Sequence, residues 1–282
     1  MKRLIVNADD FGLHAAVNRG IAAGHSGGII TSASLMASGE AFDDAVGIAG
    51  KYPLLGVGVH LALVGGGKPV LPPKSIPSLL NEQGLFFSGH PDFLKRYFAG
   101  RINLLEVELE LTAQVEKVCA AGISPSHFDS HQHLHALPGI FAIVGKLAEQ
   151  FNVHAIRRPA EPVLYFGGSR TSAGRIAGRT GLSLLSAWTM RKAMMGGLTA
   201  TDHFYGMLSG GRMNETELQE LIAALPEGST EIMTHPGLDG EVLSRDYNWG
   251  YHWEEELQAL TSPILRELIN NRAIRLISFR EL

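Results

Sequence analysis

Two adjacent carboxylates, Asp9 and Asp10, sit in the run Asn7-Ala8-Asp9-Asp10-Phe11-Gly12, directly after the apolar stretch Arg3–Asn7. Neighbouring like charges repel and cost stability unless a cation or hydrogen bonds compensate them. Successive side chains of a strand also point to opposite faces, so a turn must re-aim one of the pair before both can serve one site. An Asp-rich turn capping the next helix would look the same from spacing alone. His60 falls near the end of Gly-Val-Gly-Val-His-Leu (56–61), where a histidine is either a satisfied core residue or a ligand. His131-Gln132-His133-Leu134-His135 follows Phe128-Asp129-Ser130. Three histidines at period two share a face if the segment is extended. Imidazole is the commonest metal ligand, so the cluster favours a divalent-metal site. His133 and His135 then become candidate substrate contacts, and Asp129 is placed to hold a ring N–H and fix its tautomer. Thr234-His235-Pro236-Gly237 is a turn before proline or, with a metal on the same face, supplies His235 as general acid. Arg157-Arg158 is a surface pair, or else Arg157 holds a carboxylate of the substrate or of an active-site aspartate.

The elements that must position these groups alternate in type. Strand-like runs cover Arg3–Asn7, Ile30–Met36, Gly56–Leu61, His127–Ser130, His154–Arg158, Thr230–His235 and Arg275–Phe279. Helical periodicity marks Ala15–Ser26, Phe42–Tyr52, Leu104–Ala121, Pro138–Phe151, Glu215–Leu225 and Glu254–Asn271, the last kinked or split at Pro263. Regular βα alternation implies a mainly parallel sheet with helices outside it. The predicted fold is an α/β, distorted (β/α) barrel of about seven or eight mainly parallel strands, with a doubly wound open sheet as the alternative. Asp9 and Asp10, His60 and His131 then all fall at one end of the sheet, where parallel α/β folds place their active sites. An Asp/His/His set leaves coordination positions open, as catalytic metal sites do. Gly65–Pro77 is rich in Gly and Pro and is expected to be an irregular, functional or disordered loop.

With 282 residues, 45% apolar, the chain is expected to form a single domain, 1–282. A net charge of −4 argues against nucleic acid as partner. The lone Cys119 excludes a disulfide scaffold or a Cys-rich zinc site. No secretory leader or membrane span is legible, so a cytoplasmic location is expected. Oligomeric state is not readable. Neither a nucleophile elbow nor a P-loop is present. One divalent metal ion is expected, zinc or magnesium, with cobalt or manganese also suited to the donors. Competing classes are a metal-dependent phosphoesterase and a non-catalytic sugar-binding protein.

Taken together, NADDFG, GVHL and HFDSHQHLH make the chain resemble the YdjC-like (ChbG/HpnK) family of carbohydrate deacetylases. The resemblance implies a distorted βα barrel, a divalent metal, and removal of the acetyl group from an N-acetylated amino sugar. His60 and His131 match the family's metal-binding histidines, and Asp9-Asp10 its acidic motif. By analogy with the wider polysaccharide deacetylases, Asp9 would be the base and Asp10 the metal carboxylate. Arg157-Arg158-Pro159 with Glu161-Pro162, Asp202–Gly206 and Thr230–Gly237 resemble the hopanoid-biosynthesis-associated branch, which implies an N-acetylglucosaminyl hopanoid lipid as substrate. That branch usually reads closer to Asn-Asp-Arg-Phe-Phe-Gly where this chain has Asp202-His203, and a chitooligosaccharide substrate stays open. Residues 170–198 are expected to cover the substrate. Arg175, Arg179, Arg191 and Lys192 lie there among Leu182, Leu185, Trp188, Met194 and Met195, a pattern suited to transient contact with the inner membrane face or to a lipid-shaped groove. An ordinary outer helix broken at Gly178 and Gly181 is the alternative.

Overall fold

The computed structural model describes residues 1–167, 172–194 and 197–282, with 190–194 described by backbone alone. The elements run β1 (Lys2–Phe11), α1 (Ala15–Ser26), β2 (Ser32–Leu35), α2 (Phe42–Lys51), β3 (Gly56–Leu61), α3 (His90–Phe98), α4 (Leu104–Ala120), β4 (Phe128–Ser130) and α5 (Pro138–Gln150). They continue with α6 (Ala173–Met194), β5 (His203–Tyr205), α7 (Glu215–Ala223), β6 (Gly228–Thr234), α8 (Gly240–Asp246), α9 (Trp253–Leu260), α10 (Pro263–Asn271) and β7 (Arg275–Leu276). The strand order is β4-β3-β2-β1-β6-β5, parallel throughout, and β7 pairs the start of β1. The sheet curls into a distorted barrel. Its gap between β4 and β5 is spanned by the single bridges Phe128↔Ile156 and Ala155↔Thr199.

Period-two alternation sorts β1 into two layers. Leu4, Val6 and Ala8 join the main core under the helices, whereas Ile5 packs inward on Ala155, Ile277 and Phe279 and plugs one end of the barrel. Above that plug the interior turns polar. Ser34, Asp129 and Glu231 are fully buried there with Asn7. The alternating serines of the second strand thus face the barrel interior, which an apolar sheet–helix interface would not require.

Several expectations change. His154–Arg158 forms no ladder but only the bridges at Ala155 and Ile156. β7 stops at Leu276, and Ser278 caps a 3₁₀ turn at Phe279–Glu281 instead of extending the strand. α3, β5 and α8 went unpredicted, each nine residues or fewer and short for a periodicity signal. Pro263 splits the last helical stretch outright: α9 ends at Leu260, and Ser262 caps α10 by accepting from Ile264 N. The Gly65–Pro77 stretch is irregular but tied down, and Gly65 lies against the His131 ring. Glu110 accepts from Val70 N and Leu71 N and Glu106 from Ser78 N, tying the loop to α4, with 3₁₀ turns at Pro73–Ser75 and Pro77–Leu79. α6 runs unbroken through Gly178 and Gly181. Among the described residues, no helix is long and apolar enough to cross a membrane.

Candidate active site

β1 brings Asn7 and Asp9 to the same inner face, two residues apart. Asp10 follows at φ 63, a left-handed backbone that only a few residue types tolerate. That turn swings its carboxylate round to the side of Asp9, as two adjacent acids in one site require. Oδ1 of Asp10 lies 3.1 Å from His131 Nδ1 and 3.5 Å from His60 Nε2. The strand ends of β1, β3 and β4 therefore converge on one point.

The histidine run is not extended. Gln132 and His133 have φ 54 and 58, and His131–Ala136 coils into short 3₁₀ turns. The three rings consequently part company. His131 faces Asp10, His133 packs edge-on against Phe204, and His135 turns inward. His135 Nε2 donates to the Arg157 carbonyl (3.1 Å) and its Nδ1 accepts from Ser130 Oγ (2.6 Å). Burial holds it neutral, its pKa lowered to about 4. Expected as a substrate contact, His135 has both ring nitrogens engaged within the protein.

Arg157, expected to hold a carboxylate of the substrate or of an active-site aspartate, takes the second of these places. Fully buried, it donates from both terminal nitrogens to Asp9 (2.7 and 2.6 Å), from Nη1 also to Asp129 (2.7 Å), and from Nε to Glu231 (2.8 Å). The guanidinium fixes three acids instead of facing the cleft. Burial pushes Glu231 up to about 7, against the pull of Arg157. Burial also raises Asp129, but Arg157 and His60 outweigh it and hold that carboxyl well below its ordinary range. Ser34 Oγ donates to Asp129 (2.8 Å) and accepts from Asn7 Nδ2 (2.8 Å), which also donates to Asp9 (2.8 Å). Removing one partner of such a network leaves charge buried and uncompensated, at a cost of about 3–5 kcal/mol. Arg157→Met should accordingly unfold at markedly lower temperature or denaturant concentration than the parent. A melting curve unchanged within error would show that the three acids do not need the guanidinium.

Asp129 accepts from His60 Nδ1 at 2.8 Å, so the Nε2 lone pair of His60 points at Asp10. Two acceptors 3.5 Å apart repel unless a proton or a cation lies between them. A proton supplies part of the answer. Burial alone would lower the His60 pKa, but Asp129 and Asp9 outweigh it and the value is pushed up to about 9. Burial likewise opposes ionisation of Asp10, and His131 and His60 prevail to hold it below the ordinary range. Asp10 Oδ2 is buried with no hydrogen-bond partner. Asp10, His60 and His131 each offer a ligand atom within 4.8 Å of the others. Asp9, His60 and Asp129 satisfy the same spacing, but Arg157 already takes both of those carboxylates. The first set could hold a metal ion.

A cleft of about 720 Å³ opens over this cluster, lined at its base by Asp9, His60, His131 and His133. His235, at the end of β6, also lines it, with a buried, unpartnered Nδ1. Burial lowers its pKa from the ordinary 6.5. Glu256 fixes the backbone here, accepting from His235 N (2.6 Å) and Met213 N (2.9 Å). Leu94 and Phe98 of α3 and Leu182 and Leu185 of α6 also line the cleft. Gly174 and Gly178 lie on that same α6 face, so the helix is thinnest where it borders the cavity. Arg175 donates to the Met207 and Gly210 carbonyls and Arg179 to those of Pro162 and Val163, fastening α6 over the site. The side chains of Arg191, Lys192 and Met194, and Met195 as a whole, lie outside the described residues. Trp249 and Tyr251 also line the cleft and were missed from the sequence; the alternation Tyr247, Trp249, Tyr251, Trp253 was the signal.

The chain matches the YdjC-like protein family over residues 3–271. It is 35% identical to a carbohydrate deacetylase of Brevibacillus brevis, covering 99% of both chains. A carbohydrate deacetylase of Geobacillus stearothermophilus is 33% identical, over 98% of this chain and 96% of its own. The crystal structure of an Enterococcus faecalis protein proposed to act in cellobiose-phosphate cleavage superposes with a TM-score of 0.77. It is 27% identical, over 99% of this chain and 98% of its own.

Proposed function

This chain belongs to the YdjC-like family, and from that premise we propose that its cleft is the site of a metal-dependent hydrolysis of the N-acetyl group of an amino sugar. The observation that carries the reading is the convergence of Asp10, His60 and His131, each with a ligand atom within 4.8 Å of the others, while Asp10 Oδ2 is buried and unpartnered. Asp10, His60 and His131 would hold the cation. When bound, it would supply Lewis-acid polarisation of the acetyl carbonyl and acidify a water.

The remaining roles fall to side chains already in place. Asp9 borders the cleft 4.0 Å from His60 Nε2, and Arg157 and Asn7 hold its carboxylate in one orientation. It is the group positioned to take a proton from the attacking water at Oδ2. His235, with Nδ1 free and its backbone fixed by Glu256, is positioned to protonate the departing sugar nitrogen. Arg157 acts through Asp9, and His133 lies where the bound sugar can touch it.

His235→Gln should keep its bound cation and lose on the order of 10²–10⁴-fold in kcat, the usual worth of one proton-transfer group. An acid works only while protonated, so the parent should lose activity as pH rises through the His235 pKa. Burial sets that fall below pH 6.5. The variant should lack this limb, and a profile that keeps it would return His235 to the role of a turn residue.

Between the two acceptors, the lipid-linked N-acetylglucosaminyl (hopanoid-type) reading is placed first. Leu94, Phe98, Leu182 and Leu185 give part of the cleft an apolar lining that a soluble chitooligosaccharide does not need. Metal analysis of the purified protein, with acetate and phosphate release measured on both substrate types, tests the whole reading. Acetate release that tracks bound cation supports it. Phosphate release would transfer the site to phosphoesterase chemistry, and tight sugar binding without turnover would make it a binding protein. Faster turnover of the soluble oligosaccharide would reverse the order of acceptors. Vesicle co-sedimentation that weakens with rising salt would support transient contact with an anionic membrane face.

A further inference from the structure

The segment joining α8 to α9 carries Tyr247, Trp249, Tyr251 and Trp253 at alternate positions. Their rings form a continuous ladder: Tyr247–Trp249 at 5.0 Å, Trp249–Tyr251 at 5.6 Å and Tyr251–Trp253 at 5.0 Å between centroids. The ladder touches both sides of the site. Trp249 lies 5.5 Å from the His131 ring, and Tyr251 lies 4.7 Å from that of His235. Trp253, 1% exposed, is a core residue, but Trp249 is half-buried and on the cleft wall.

A large aromatic face left partly open beside the reacting centre calls for a ligand with a flat apolar surface. A pyranose ring has one: its C–H groups cover the ring face and its hydroxyls project from the edge. Aromatic faces carry a negative quadrupole that attracts such polarised C–H groups, and burial of both apolar faces adds to the gain. Trp249 is also fixed before any ligand arrives. Tyr247, Tyr251, Trp253 and His131 surround it, and Tyr251 is seated so closely on Gly211 that a Cβ there would run into its ring. A ring already held in place loses little freedom on binding.

We propose that Trp249 is the platform on which the pyranose ring bearing the acetamide stacks, with Tyr251 flanking it, making this segment a determinant of sugar specificity. The inference rests on the deacetylase reading above and adds the residues that recognise the sugar as a sugar.

The test uses the purified holoenzyme with di-N-acetylchitobiose. Trp249→Leu should raise KM about tenfold while kcat and bound metal stay near the parent values, and Trp249→Phe should recover most of the loss. The disaccharide should quench tryptophan emission in the parent and in Trp188→Phe, whose altered residue lines a separate cavity against α5. The quench should disappear in Trp249→Phe. An unchanged KM in Trp249→Leu, with the parent turning the disaccharide over, would overturn the platform and leave the deacetylase reading standing. Loss of metal together with the indole would also overturn it, making Trp249 a cover for His131. A parent that neither binds nor hydrolyses the disaccharide would overturn the platform, while the deacetylase reading would be decided by acetate release from the lipid-linked substrate.

Discussion

His60→Ala and His131→Ala should each yield a folded protein that retains almost no divalent cation and releases no measurable acetate. Each imidazole is one of three donors, and the site has no spare: Asp9 and Asp129 are already bound to Arg157. Losing even a partner that orients a ligand costs about 10–100-fold in metal affinity. Asp129→Asn, which weakens the hold on His60 Nδ1, should fall in that range, and loss of a ligand should exceed it. Truncating His60 leaves Asp129 supported by Ser34 and Arg157, so folding should survive with a lowered melting temperature. Elemental analysis after gel filtration, paired with circular dichroism, decides the matter. Full occupancy and turnover in either variant would mean that the cation, if bound, lies elsewhere.

Asp9→Asn should separate binding from chemistry. Asp9 borders the cleft but is bound to Arg157, whereas Asp10 points at the two imidazoles. Replacing Asp9 should leave the cation in place and lower kcat on the order of 10²–10⁴-fold, the loss expected for a missing general base. The introduced amide would also present a donor to Arg157 where an acceptor is needed, so a thermal melt must show that the variant is folded at the assay temperature. Asp10→Asn should do the reverse, losing the cation first and activity as a consequence. Metal titrations of the two variants giving the opposite pattern would exchange the roles of the two aspartates.

Much of this site is legible because strand ends advertise themselves. NADDFG and GVHL each stop an apolar run with a group that such a run cannot bury cheaply, FDSH brings its acid and histidine together, and parallel topology sends all three ends to one place. What sequence spacing could not supply is direction. Period two in HQHLH suggests one shared face, yet two left-handed residues turn the rings three ways. Which carboxylate Arg157 holds is open until its partners Asp9, Asp129 and Glu231, separated by up to 222 positions in the chain, are brought round it by the barrel. The strand pattern at His154–Arg158 overstates the pairing there, which is limited to single bridges at Ala155 and Ile156. The aromatic wall was written as plainly as the histidines, but alternating rings in a loop have no element to announce them.

β1 is synthesised before the strands it pairs with and is completed only after them. It carries Asp9 and Asp10 and lies between β2 and β6, with β7 beside its first residues. Seven register pairs join it to residues 228–234, and two more to residues 275 and 276. At ribosomal rates of ~5–20 residues per second, the wait for β6 is on the order of ten seconds or more. During that time an apolar strand with an open edge, tipped by two uncompensated acids, must avoid pairing with other nascent chains. Contacts of such long sequence separation also form slowly in the released chain. Yield in a heterologous host should therefore be governed by chaperone capacity and growth temperature more than by the stability of the finished barrel.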